Sequence, residues 1–240
     1  LASPKDLNDP FDCRIRPRFI GRTKEELDKY VDGMIEAHKN DPMGFGMDRD
    51  QMMKEFRERV YNTEAYQEEY DSIHFGGQDK YVGVFSLSTK WDSIPMWAYY
   101  GNNHQGFCVG FHEIALKESE LFGRGGEVHY KEDYPDIVPS NTKDELDSLE
   151  MAIVETHTKA KDWFIEDEFR LTKFFYPNAA TSEDRTVTIP NKAIAEVIVG
   201  INIKEEQRKE ILTICIEKGI PVFQCHPVPF KFAIEKVQIG

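Results

Sequence analysis

The run Trp163-Phe164-Ile165-Glu166-Asp167-Glu168-Phe169-Arg170-Leu171 sets two glutamates and an arginine at every second position among apolar residues. In an extended chain successive side chains alternate faces. Trp163, Ile165, Phe169 and Leu171 then share a face suited to a core. Glu166, Glu168 and Arg170 share the other, roughly 7 Å from one to the next. Such a row can do chemistry. One glutamate can hold a sugar hydroxyl or steady a developing cation, and the other can orient an acceptor or serve as base. Arg170 keeps at least one carboxylate ionised. The same residues also suit a solvated Glu–Arg face, and on a helix Glu166 and Arg170 form an i,i+4 surface pair. The strand reading aims Asp167 at the core, an awkward place for a carboxylate.

A second candidate is Met96-Trp97-Ala98-Tyr99-Tyr100-Gly101-Asn102-Asn103-His104-Gln105-Gly106. Trp97, Tyr99 and Tyr100 offer flat apolar surface with polar tips, a wall for a nucleobase or nicotinamide. Asn102, Asn103 and His104 follow in a tight connection, and His104 can exchange a proton near neutral pH. The blander arrangement buries Trp91 and Trp97 and uses the amides to make a turn. The third candidate is Asn8-Asp9-Pro10-Phe11-Asp12. Pro10 pushes Asp9 toward extended backbone, and the side chain of Asn8 or Asp12 can close a turn or sit beside a ligand.

The totals exclude several classes. The chain has 240 residues, 30 Lys and Arg against 43 Asp and Glu, and a formal charge of −13. A chain this acidic repels phosphate backbone, and its densest basic piece, Arg14-Ile15-Arg16-Pro17-Arg18, is short, so nonspecific nucleic-acid binding is not expected. Cys13, Cys108, Cys215 and Cys225 form no Cys-x-x-Cys pair; four reduced thiols in a cytoplasmic protein are expected, with no metal site. No apolar run approaches the ~20 residues of a membrane helix. The chain opens at Leu1 rather than Met, and a preceding segment is expected.

The elements that must position these residues can be read from periodicity. Thr23 and Glu26 have capping-box spacing ahead of a helix over 22–40, whose apolar stripe is Leu27, Tyr30, Val31, Met34 and Ile35. Asp41-Pro42 ends it. Helices are predicted over 48–62 and 63–73, with a break at His74-Phe75-Gly76-Gly77. Strands are predicted over 81–88, 106–111, 127–130, 163–172, 195–201, 221–225 and 231–237. Helices are predicted over 91–101, over 142–160 with Thr142 and Glu145 as a capping box, and over 202–218 with Asn202 as cap and Gly219 as stop. Helices early and strands later give an α+β chain. The expectation is a single domain over 1–240 around one central mixed or antiparallel sheet, with 22–75 as a helical insertion or lid.

Three landmarks then coincide in order and separation: Ser3 to Asp12, Phe85-Ser86-Leu87-Ser88 with Met96 to Phe107, and Trp163 to Arg170. Together they resemble a bacterial family catalogued as domain of unknown function twenty-nine seventy-one, and Ala195 to Gly200 looks like its later strand. Some relatives are labelled phage-resistance or abortive-infection proteins, which implies a role in phage defence. The family usually begins with a further strand carrying a Tyr/Arg-rich motif, absent here, and commonly has His where this chain has Tyr99; His104 does match. A looser resemblance is to ADP-ribosyltransferases. These combine an early Arg or His, a Ser or Tyr on a middle strand and a Glu-x-Glu on a later one. Ser86 or Ser88 and Glu166-x-Glu168 look like the second and third parts.

These resemblances imply a phage-defence effector with a nucleotide pocket, NAD being the substrate considered, and ADP-ribosyltransferase-like chemistry. Glu168 would stabilise the ribosyl cation, and Glu166 would orient the acceptor. Trp97, Tyr100 and His104 would frame the base, with Asn8, Asp12 and Arg170 close by. Two rivals use other chemistry. One is a nuclease-like site, with Asp12, Glu166, Glu168 and Arg170 gathering a divalent ion. The other is a non-enzymatic sensor or inhibitor that binds a protein through its early helices and leaves Glu166 and Glu168 solvated.

Overall fold

The computed structural model describes residues 1–38, 49–140 and 145–240. Its N-terminal stretch forms a short 3-10 turn, Pro4–Asp6, and a bridge from Ala2 to Val84. Helix α1, Lys24–Ala37, starts at the expected capping box: Thr23 N donates to Glu26 Oε2 (2.8 Å) and Glu26 N donates to Thr23 Oγ1 (3.3 Å). Its predicted stripe is the packed face, with Leu27, Tyr30 and Val31 buried and Met34 and Ile35 against them. Phe19 sits among these residues and takes edge-on contacts from Tyr30 and Tyr66 at 5.0 and 4.9 Å. Helix α2, Arg49–Tyr61, adds Phe56 and Val60 to the same cluster.

Helix α3, Thr63–Tyr81, runs through His74-Phe75-Gly76-Gly77, where a break was predicted. Two glycines cost about 1 kcal/mol each in a helix. The side chains around them hold the turn instead: Gln78 Nε2 donates to Glu155 Oε2 (3.1 Å), and the His74 ring stacks on Tyr70. The stop expected at Asp41-Pro42 and the Thr142 cap lie outside the described residues.

The α+β expectation holds, with helices leading the chain. Among the described residues, however, the strands pair in three groups rather than one sheet. Strands β1 (Val82–Ser88), β3 (Arg124–Glu127) and β6 (Glu168–Phe174) form an antiparallel sheet in the order β1-β6-β3. Its register sets Ser88 opposite Glu168 and Ser86 opposite Arg170. Strands β2 (Phe107–Phe111), β7 (Ile194–Val199), β8 (Val222–Pro227) and β9 (Ile234–Gln238) form a mixed sheet in that order, with β7 and β8 parallel. Helix α7, Glu205–Lys218, connects those two parallel strands, as a parallel pair requires. It ends at Gly219, whose φ of 68° is the left-handed conformation that glycine takes without strain. Its N-cap is Lys204 rather than Asn202, whose side chain reaches the Asn103 carbonyl at 3.5 Å. Two short elements, α4 (Ile94–Tyr99) and α5 (Glu113–Lys117), flank β2.

The remaining change is local and bears on function. The helix predicted over 142–160 is α6, Glu145–His157, and it stops short of Lys159. Thr158–Ala160 is instead β5, paired in parallel with β4, His129–Lys131. Similarly, Lys161–Glu166 is a 3-10 turn and not the first half of a strand. Trp163 is half-buried and Phe164 and Ile165 are exposed, so the core face of that run begins only at Phe169 and Leu171. The turn closes on Asp167 in the left-handed region (φ 44°), a conformation aspartate tolerates better than most residues. Its carboxylate points outward to Thr89 and Lys90, away from the core.

Candidate functional site

Asp167 resets the chain between Glu166 and Glu168, and both carboxylates turn inward although only Glu168 is on the strand. Each residue is 4% exposed, and Arg170 is 0% exposed. The solvated Glu–Arg face is therefore not what forms. Asp12 joins them from the N-terminal turn, which is closed by Asp9 rather than Asn8 or Asp12: Asp9 Oδ1 accepts from Phe11 N (2.9 Å) and Asp9 O from Asp12 N (3.1 Å). Lys159 enters from β5.

Lys159 Nζ sits where the three carboxylates converge, 2.6 Å from Glu166 Oε2, 3.3 Å from Asp12 Oδ2 and 3.4 Å from Glu168 Oε2. Its charge also lies over the Trp163 ring, 4.9 Å from the centroid. Arg170 closes the other side. Its Nη1 and Nη2 donate to Asp12 Oδ1 (2.8 Å) and Oδ2 (3.0 Å), a two-pronged contact with good geometry. Its Nε and Nη2 reach Glu168 Oε1 at 2.8 and 2.7 Å, and Nη1 also donates to the Thr156 carbonyl at 2.6 Å. A fully buried guanidinium is tolerated because its donors are taken up in this way.

These neighbours shift the ionisations. Burial pushes the Asp12 carboxyl up, but its contacts with Arg170 and Lys159 outweigh burial and hold it below the ordinary carboxylate value. Burial pulls Lys159 and Arg170 down, and the surrounding carboxylates more than reverse this in both. Cys13, 3.3 Å from Arg170 Nη1, is pushed up to about 12, chiefly by burial. Tyr100, from the end of α4, donates its hydroxyl to Glu166 Oε1 (2.5 Å) and accepts from Asn8 Nδ2 (2.9 Å). Burial first, and then the Glu166 carboxylate, push that phenol up to about 12. Tyr130 supports the strand from below, its hydroxyl accepting from Glu168 N at 2.9 Å.

Above the cluster lies a cavity of about 440 Å³ lined by Asn8, Asp12, Ser86, Ser88, Tyr100, Lys159, Glu166 and Glu168, with Asp6, Leu7, Leu87 and Met96 completing the wall. Its size is that of a small-molecule site. The structure thus brings together residues from all three candidate stretches. Ser86 is exposed to the cavity, and Ser88 Oγ donates to the Glu166 carbonyl at 2.7 Å.

Other candidate residues lie elsewhere. Trp97 is buried with Ile198, Cys225 and Ile234 beneath the four-stranded sheet, and its Nε1 donates to the Trp91 carbonyl. His104 stacks on Trp97 with ring centroids 6.3 Å apart, and its carbonyl accepts from Asn202 N. Asn102 and Asn103, with φ of 48° and 54°, turn the chain there, and Tyr99 is exposed. None of Trp97, Tyr99, Asn102, Asn103 and His104 lines the cavity. The physical reason is the helical spacing of α4. Met96 and Tyr100, four apart, share a face on the cavity side, while Trp97 points into the core.

Lys159 was not among the sequence candidates. As the end of a predicted helix it reads as a solvated lysine, and only the pairing of β5 with β4 carries it into the cluster. A divalent ion does not fit here. The ammonium occupies the point where the carboxylates converge, and among the described residues no group of His, Cys, Asp and Glu forms a metal site.

Residues 96–171 match a family model described as protein of unknown function (DUF2971). That segment carries Tyr100, Lys159, Glu166, Glu168 and Arg170, and leaves out Asn8, Asp12, Ser86 and Ser88. No curated protein and no solved structure matches the chain. Among the described residues no helix is long and apolar enough to cross a membrane.

Proposed function

We propose that the cavity binds a ribosyl-bearing nucleotide such as NAD and that the protein breaks or transfers its N-glycosidic bond, in the manner of ADP-ribosyltransferases. One observation carries this reading: Glu166 and Glu168, from different elements, face a single cavity with a phenol, an amide and two serine hydroxyls on its walls. As the bond between the ribose carbon and the leaving base lengthens, the electron pair departs with the base and the ribosyl carbon becomes cationic. Fixed negative charge aimed at that carbon lowers the barrier. Glu168 suits that role, because Arg170 and Lys159 hold it rigidly. Glu166 has a different freedom. Its Oε1 is held by the half-exposed Tyr100, and a ligand hydroxyl or the attacking acceptor can take that place. Tyr100 and Met96, rather than Trp97 and His104, would flank the base. A phage-defence setting is implied by the family resemblance alone.

The test is incubation of the protein with NAD, reading binding by calorimetry and released nicotinamide by chromatography. Wild type is expected to bind and turn over. Glu166→Gln, folded by circular dichroism, is expected to lose about 10²–10³-fold in rate, the usual cost of one transition-state contact. No turnover at millimolar NAD, with or without binding, would overturn the reading.

A further inference from the structure

The cavity's polar groups also constrain the charge of whatever occupies it. Every oxygen of Asp12, Glu166 and Glu168 faces a donor: Arg170 and Lys159 for Asp12, Tyr100 and Lys159 for Glu166, Arg170 and Lys159 for Glu168. Each carboxylate thus takes the accepting role that suits its charged form. The cluster therefore sets three negative groups against two positive ones and keeps one excess negative charge, with Asp6 adding another at the rim.

Neither cation is available to a ligand. The Lys159 ammonium points at three carboxylates, and the Arg170 guanidinium is spent on Asp12, Glu168, Cys13 and the Thr156 carbonyl. Among the described residues Lys159 is the lone basic side chain lining the cavity. A phosphate is held best by cations, and here it would find only neutral donors such as Asn8 and Ser86 beside an excess of negative charge. A cation would be attracted, and more strongly than in water because the cluster is buried.

We propose that this site selects a positively charged ring, of the pyridinium class, for the part of the ligand seated against Glu166 and Glu168, and that any phosphates of the ligand stay outside the cavity. This rests on the N-glycosidic reading for the identity of the ring but not for its charge. It also makes chemical sense of the cluster, since a pyridinium riboside carries in the ground state the charge that passes to the sugar as the bond breaks.

The experiment separates the two ideas. The protein is titrated calorimetrically with 1-methylnicotinamide, a pyridinium with no ribose, and with neutral nicotinamide. The cation is expected to bind at least about tenfold tighter. The preference is expected to shrink in Glu166→Gln, which removes one negative charge, with folding checked by circular dichroism. In a second arm, nicotinamide mononucleotide is expected to bind no tighter than nicotinamide riboside. Equal affinity for the neutral and charged rings, a preference unchanged in Glu166→Gln, tighter binding conferred by the phosphate, or no binding of either ring would each overturn the inference. Preference for the cation without NAD turnover would leave the inference standing and remove the N-glycosidic reading. NAD turnover with equal ring affinities would do the reverse.

Discussion

Replacing Lys159 with methionine keeps an unbranched apolar stem of nearly the same length and removes the ammonium. In the structure that ammonium is 2.6, 3.3 and 3.4 Å from three carboxylate oxygens. At an effective dielectric near 20 these contacts are worth roughly 5–6 kcal/mol each before desolvation. Burying the ammonium costs several kcal/mol, and its repulsion by Arg170 takes away more. What remains on truncation is dominated by the three carboxylates left around one guanidinium. Breaking a buried pair in this way costs about 3–5 kcal/mol, a large share of the ~5–15 kcal/mol that holds a typical domain together. For a chain of this size it lowers the melting temperature by roughly 6–20 °C. The pH dependence gives a second signature. With the ammonium gone, the crowded carboxylates are relieved by protonation, so Lys159→Met is expected to gain stability between pH 7 and pH 5. Urea denaturation at both pH values measures this. The matched control is Lys161→Met, which breaks an exposed pair with Glu132 and is expected to cost about 0–1 kcal/mol. A Lys159→Met protein within 1 kcal/mol of wild type at pH 7, with no gain at pH 5, would refute the account of a lysine-centred cluster.

Asp12 titrates in the opposite sense in the wild type. Its folded-state pKa lies below its unfolded value, so the stability it contributes is present above about pH 4 and is lost as pH falls through the folded value. Denaturation curves from pH 5 to pH 2 are expected to show this loss, and Asp12→Asn to show less of it. Tyr100→Phe removes one phenol from a half-exposed position and is expected to cost only about 0.5–1.5 kcal/mol. Because Glu166 Oε1 loses its partner, the same variant is expected to change ligand affinity measurably by calorimetry. Cys13, buried and pushed up to about 12 by that burial, is expected to resist iodoacetamide at pH 8 in the native protein and to react after unfolding, as peptide mass mapping would show. Prompt native-state labelling of Cys13 would contradict its placement against Arg170.

How much of this was readable in advance depended on the range of the interaction. The capping box at Thr23, the stripe on α1, the stop at Gly219 and most strand centres depend on neighbours a few residues apart, and one-dimensional periodicity carries that information. The same local spacing made Glu166, Glu168 and Arg170 candidates, as it did Asp12. It misplaced Trp97 and His104, because an aromatic in a short helix is a core residue or a pocket wall according to which sheet lies beneath it. It also broke α3 at two glycines that contacts with Glu155 and Tyr70 hold in the helix.

The sequence by itself determined the α+β class, the acidic balance and the alternation that singled out Glu166, Glu168 and Arg170, all of which follow from composition and short-range geometry. Tertiary structure decided which charges meet. Asp12 and Arg170 are separated by 158 positions yet share two hydrogen bonds. Lys159 reaches the carboxylates only because β5 pairs with β4 and Asp167 turns the chain back at φ 44°. Electrostatic energy falls with distance in space and not along the chain, so a buried cluster of this kind is settled only when the strands that carry it pair.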